Sequence, residues 1–218
     1  MPIFNKSYKI THKGVDLHIG SDDLEAFAKF YFRGLPVLER CTEKFILDLY
    51  VYAHTSGLNP LVVLDEIKSL EVPNEFTRTK PATMFTRLPL KGIWHKHFFS
   101  SHFLGQNMQI AQGGGRLETS IGQVLEKYEG IENTDENWKA VAKELTQETM
   151  ALFHQRKERS CLTGEWIIFI KHEGNNYYMS ISFHANDDIS IYDDVLTSCQ
   201  QDFPHLTEIV KNYAIRTA

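Results

Sequence analysis

The stretch Gly164–His184 constrains the fold more than any other part of the chain. Glu165–Lys171 and Tyr177–His184 are rich in β-branched and aromatic residues and flank Gly174-Asn175-Asn176. That arrangement predicts a β-hairpin. Side chains alternate across a strand, so any even-length turn gives the same two faces. Trp166, Ile168, Ile170, His172, Tyr177, Met179, Ile181 and Phe183 make one nearly apolar face, expected to meet the core. Glu165, Ile167, Phe169, Lys171, Tyr178, Ser180, Ser182 and His184 make the other. That face is mixed, with a polar end, and suits the floor of a site.

The remaining chain is mostly helical by pattern. Tyr8–Ile19 predicts a short hairpin turning at Thr11-His12-Lys13-Gly14, where Gly14 can adopt positive φ. Asp22 with Glu25 predicts a capping box for a helix to Phe32, with Leu24, Phe27, Phe30 and Tyr31 as its apolar stripe. Pro36 can open a helix running to about Thr55, with Gly57 beyond its end. Asn59-Pro60 starts another, ending near Leu70. Helices are also expected from Thr119 and after a cap at Thr134, the latter turning Trp138 and Val141 inward. Ile189–Tyr192 reads as a third strand, and two short helices divided at Pro204 end the sequence. The expected fold class is α+β, helices in the first half and a small antiparallel sheet including the late hairpin. The expected division is 1–72, an N-terminal hairpin with a helical subdomain, and 73–218, an α+β domain carrying the basic His/Lys cluster, with one continuous domain as the alternative.

Charge is distributed unevenly. The chain carries net charge −5, yet Phe76–Arg116 holds Arg78, Lys80, Arg87, Lys91, Lys96 and Arg116 with no Asp or Glu. Overall acidity argues against coating nucleic acid by bulk charge, but a local basic groove remains open. Cys41, Cys161 and Cys199 are far apart and form no CxxC, which points to a reducing, cytoplasmic setting. No window of about 18 apolar residues predicts a membrane span.

The residues suited to chemistry lie inside the basic stretch, at Trp94-His95-Lys96-His97-Phe98-Phe99. As a strand, this segment projects His95 and His97 together and sends Trp94, Lys96 and Phe98 to the opposite face. As a helix, it aligns His95 with Phe98, Phe99 and His102. Histidine can take and give a proton near neutrality. Attack of a ribose 2′-OH on the adjacent phosphate needs such a base and acid, and a cation for the developing charge. The expected catalytic set is therefore His95, His97, Lys96 and His184. Arg87, Lys91, His102, Arg116, Lys171 and Tyr178 are the expected substrate contacts, Tyr178 by stacking on a base. The set would have to converge in one cleft.

No cofactor or metal is needed for that chemistry, and RNA or another phosphate-bearing ligand is the expected partner. The arrangement is similar in kind to several small ribonuclease toxins, an analogy of layout alone. Two other readings use the same residues. A non-enzymatic module could dock an acidic protein partner or nucleic acid on its basic surface. A zinc-dependent hydrolase could hold its metal with His95 and His97 plus His102 or His184. Against zinc, the neighbouring cations repel a metal and no carboxylate lies close in sequence. A structural role competes with all three, because histidines beside Trp and Phe are often packed and hydrogen-bonded to backbone. Gly113-Gly114-Gly115-Arg116 matches no nucleotide fingerprint and reads as a hinge.

Overall fold

A computed structural model describes residues 4–72, 77, 79–98, 116–130, 134–158, 165–183 and 186–215. The first hairpin pairs β1 (Tyr8–His12) with β2 (Val15–Ile19), and Lys13 and Gly14, both at positive φ, make its two-residue turn. This is the turn whose twist suits two antiparallel strands. Helix α1 spans Ser21–Tyr31. Its box is displaced from the expected one: Asp23 Oδ2 accepts from the Gly20 N–H at 2.8 Å. Leu24, Phe27 and Ala28 are buried, whereas Phe30 is 75% exposed and leaves the expected stripe.

Pro36–Arg40 forms only a 3-10 turn, and α2 (Glu43–Ser56) starts afresh under a Thr42 cap. Tertiary bonding explains the break. The Thr42 N–H donates to Tyr178 O at 2.9 Å and its hydroxyl to Met179 O at 2.6 Å. Continuing a helix through Cys41 would withdraw both. Gly57 ends α2 in the left-handed conformation, as expected, and α3 (Pro60–Glu71) begins under Asn59.

The main sheet has four antiparallel strands in the order β3 (Thr83–Met84), β4 (Trp94–Phe98), β5 (Glu165–His172) and β6 (Asn175–Ser182). The late hairpin forms, but its turn is Glu173-Gly174, both at positive φ. A bulge then changes the faces. Ile168 pairs with Ser180 and Phe169 with Tyr178, leaving Met179 as the extra residue. One inserted residue reverses side-chain parity beyond it. Ile181 therefore joins Ile167 and Phe169, while Ser180 and Ser182 move to the side of Trp166 and Ile168. The face expected to floor a site is instead core, with Ile167, Phe169 and Tyr178 fully buried.

Both sheet faces are covered by helices. Ile167, Phe169, Tyr178 and Ile181 pack in one cluster with Phe45, Ile46 and Leu49 of α2 and Val63, Leu64 and Ile67 of α3. On the other side, Ile93, Ile168, Ile170 and Met179 pack with residues of two C-terminal helices. The first of these, α6 (Asp188–Asp202), occupies the place expected of a third strand. Asp187 caps it, and Ile191, Val195 and Cys199 recur at helical spacing and are buried. The second, α7, spans Pro204–Ile215. The β6 edge is closed by α2: besides the Thr42 bonds, Asp48 Oδ2 accepts from the Ile181 N–H at 3.0 Å. A covered edge cannot recruit a foreign strand.

The chain divides into two compact units, one of 1–102 with 164–218, the other of 103–163. Within the first unit, α2 packs on β6 and binds the early helices to the late hairpin. The second unit pairs α4 (Arg116–Lys127) with α5 (Asp135–Glu158). Lys127 pairs with Glu144, and Val124 and Val141 are buried. Trp138, expected inward, is 57% exposed. Among the described residues the fold class is α+β, and no helix is long and apolar enough to cross a membrane.

Candidate functional site

Strand β4 carries the candidate residues, and its pairing settles the choice between strand and helix. His95 lies opposite Ile168 and His97 opposite Trp166, so both imidazoles belong to the face that α6 and α7 partly cover. Their ring centroids are 5.5 Å apart. Trp166 lies 5.2 Å from the His95 ring and 6.2 Å from the His97 ring. Phe85 stacks on His95 at 4.3 Å with 27° between planes. Across the sheet, His97, Trp166 and Ser182 form one cross-strand row, and Asn186 donates to the Ser182 hydroxyl at 3.3 Å.

The two histidines differ in access. His97 is buried at 6% exposure, and its carbonyl accepts from the Thr79 hydroxyl at 2.8 Å. His95 is half-buried. Its Nδ1 is sealed from solvent, while Nε2 lies 3.1 Å from the Thr83 hydroxyl on an exposed edge strand. Nε2 is therefore the nitrogen that an incoming group would meet.

Lys96 takes the opposite face, beside Ile167, and is 1% exposed. Its ammonium lies 3.1 Å from Glu66 Oε2 and donates to Thr77 Oγ1 at 3.1 Å, Thr79 Oγ1 at 2.7 Å and Lys80 O at 2.7 Å. Burial outweighs the pull of Glu66 and holds its pKa below the ordinary lysine value. An ammonium so enclosed cannot reach a phosphate on the histidine side. Lys171 is also on the other face, its Nζ 3.9 Å above the Trp94 ring. Tyr178 is fully buried and donates its hydroxyl to Glu71 at 2.6 Å, so its ring is not available for stacking on a base.

The expected cleft of His95, His97, Lys96 and Lys171 is thus not what β4 and β5 build, because alternation sends imidazoles and ammoniums to opposite sides. Arg87 is exposed and Lys91 half-buried in the turn before β4. His97 is four positions past Ile93, which at about 3.3 Å per residue places it about 13 Å along the strand from that turn. Arg116 opens α4 in the second unit. His102 and His184 lie outside the described residues, and so does the third zinc ligand that either would supply. Among the described residues, no group of three or more His, Cys, Asp and Glu is arranged to hold a metal ion.

Three members of the cluster were not singled out by sequence: Thr83, Phe85 and Trp166. Trp166 falls on the face that alternation along the hairpin assigns to the core. Thr83 and Phe85 share a parity with each other, a signal present in Thr83-Met84-Phe85 but too short to define a strand alone. Comparison with protein-family models, curated proteins and solved structures finds no match.

Proposed function

We propose that the protein is a metal-independent phosphoryl-transfer enzyme that cleaves RNA, with His95 and His97 as its acid–base pair. The observation that carries this reading is the pair itself: two imidazoles 5.5 Å apart on one strand face, one offering Nε2 toward an exposed edge. In-line displacement needs a group to take the 2′-OH proton and another to protonate the leaving oxygen. His95 serves as the first and His97 as the second. The protonated imidazole also brings positive charge, so the enclosed Lys96 is not required at the phosphate. Asn186, exposed beside the row and bonded to the buried Ser182, offers hydrogen bonds to a ribose or phosphate oxygen. His184, which lies outside the described residues, stays in the proposed set.

The test is degradation of a mixed-sequence RNA in the presence of a chelator. His97→Ala should lower kcat by about 100-fold or more in a variant that still folds, though with a lower unfolding midpoint because a buried site is emptied. Full activity in that variant overturns the proposal.

A second reading is favoured by Lys171, an exposed cation stacked on Trp94. Such a pair can engage nucleic acid without turnover. In that case binding weakens steeply with salt and no product appears. A cytoplasmic location and an RNA or acidic protein partner belong to these same two proposals.

A further inference from the structure

We infer that Thr83 is a positioning residue for His95, setting the tautomer and aim of its Nε2. The inference rests on the acid–base reading above for its purpose, but not for its geometry. Strand β3 is only two residues long, and its pairing sets Thr83 directly opposite His95 and Met84 opposite Trp94. The consequence is a contact of 3.1 Å between Thr83 Oγ1 and His95 Nε2. Phe85, next but one along the chain, stacks on the same imidazole and prevents it from turning about its own axis. The Phe85 N–H donates to Ile93 O at 2.9 Å, which ties that ring to the strand bearing the histidine. One short segment thus clamps both the plane and the accessible nitrogen of His95.

A hydroxyl suits this place because it can accept from Nε2–H or donate to a bare Nε2. The two bonds are unequal, since the one accepted from the imidazolium is charge-assisted, and the hydroxyl yields its place at Nε2 to an arriving substrate hydroxyl. A hydrogen bond to one form of a titrating group favours that form. Removing the hydroxyl therefore has to move the titration of His95, which a purely packing role for Thr83 would not do.

The experiment is side-chain nitrogen NMR of the full chain across pH, on the parent, Thr83→Val and Thr83→Ser, paired with pH–rate profiles on RNA. Thr83→Val should shift the His95 midpoint by about half a unit or more, and Thr83→Ser should restore it. A fall in Thr83→Val identifies the hydroxyl as acceptor, a rise as donor. The pH–rate limb belonging to His95 should move with the midpoint, with kcat reduced by about tenfold or more and KM little changed. An unchanged His95 titration in Thr83→Val overturns the inference, as does a shift that Thr83→Ser fails to reverse. A parent protein without RNA turnover, but with the titration shift intact, overturns the enzymatic reading and leaves the clamp standing.

Discussion

The two faces of β4 bury polar side chains in different ways. On one, Lys96 is surrounded by the Glu66 carboxylate, two threonine hydroxyls and a carbonyl. On the other, His95 and His97 sit against Trp166, with Phe85 on His95. A full charge taken from water needs an opposite charge and a complete set of acceptors. An imidazole can be neutral and can be packed like an aromatic ring, so it needs less. The Lys96 side therefore holds a neutralised charge inside the fold, while the histidine side packs its polar groups as rings.

The largest effect should come from breaking the Lys96 pair. Lys96→Met leaves Glu66 with a buried charge and no counterion, at a cost of about 3–5 kcal/mol. Adding Glu66→Leu should recover most of that loss, since an apolar pair of similar volume is often neutral or stabilising. Urea unfolding of the two variants and the parent measures both steps. A small loss in the single variant would mean that Lys96 is not as enclosed as its neighbours indicate.

Much of this contrast is legible in the sequence. Alternation along Trp94–Phe98 already separates the histidines from Lys96, provided the segment is a strand. Asn59-Pro60 announced α3, and Gly57 the end of α2. The failures share one physical cause, which is bonding between distant parts of the chain. The bulge at Met179 lies where Thr42 and Asp48 bond to the β6 backbone, more than a hundred residues away in sequence. The same contacts stop Pro36 from leading directly into α2. Ile189–Tyr192 is too short for its own period to decide, and the Asp187 cap with burial of Ile191, Val195 and Cys199 decides it for helix. Thr83 gained its place at His95 only through a two-residue pairing that no local pattern specifies.

A smaller effect concerns Glu71, which lies at the far end of the Lys96 side and accepts from Tyr178 and Asn176 and pairs with Arg40. Burial pushes its pKa up, but the hydrogen bonds from Arg40, Tyr178 and Asn176 outweigh burial and leave it below the ordinary glutamate value. A carboxyl depressed in the folded state stabilises the protein above its unfolded pKa, and that contribution is lost as pH falls toward the folded one. Stability should therefore decline as the solution is acidified below about pH 4.5, the region where an unfolded glutamate titrates. Tyr178→Phe should cost about 1.5–3 kcal/mol at neutral pH and make the acid decline shallower. Thermal melts of parent and variant at a series of pH values report both. An acid decline of equal steepness in the two would remove Tyr178 from the group that holds Glu71 ionised.

The smallest effect, and the one that separates the faces most cleanly, concerns Lys171. Its ammonium lies over Trp94 on the side away from the histidines, and the side chain is exposed. An exposed cation–π contact is worth about 0.5–1 kcal/mol, so Lys171→Ala should barely alter the unfolding midpoint. Its value lies in function. If RNA is cleaved at His95 and His97, removing Lys171 leaves kcat as it was, because the residue faces the other way. If instead the protein holds nucleic acid on Lys171 and Trp94, affinity falls in this variant and the salt dependence of binding becomes shallower by about one ion. Turnover and salt-dependent binding measured side by side on Lys171→Ala and His97→Ala give opposite patterns under the two readings. Loss of turnover in Lys171→Ala with His97→Ala unaffected would transfer the site to the opposite face of the sheet.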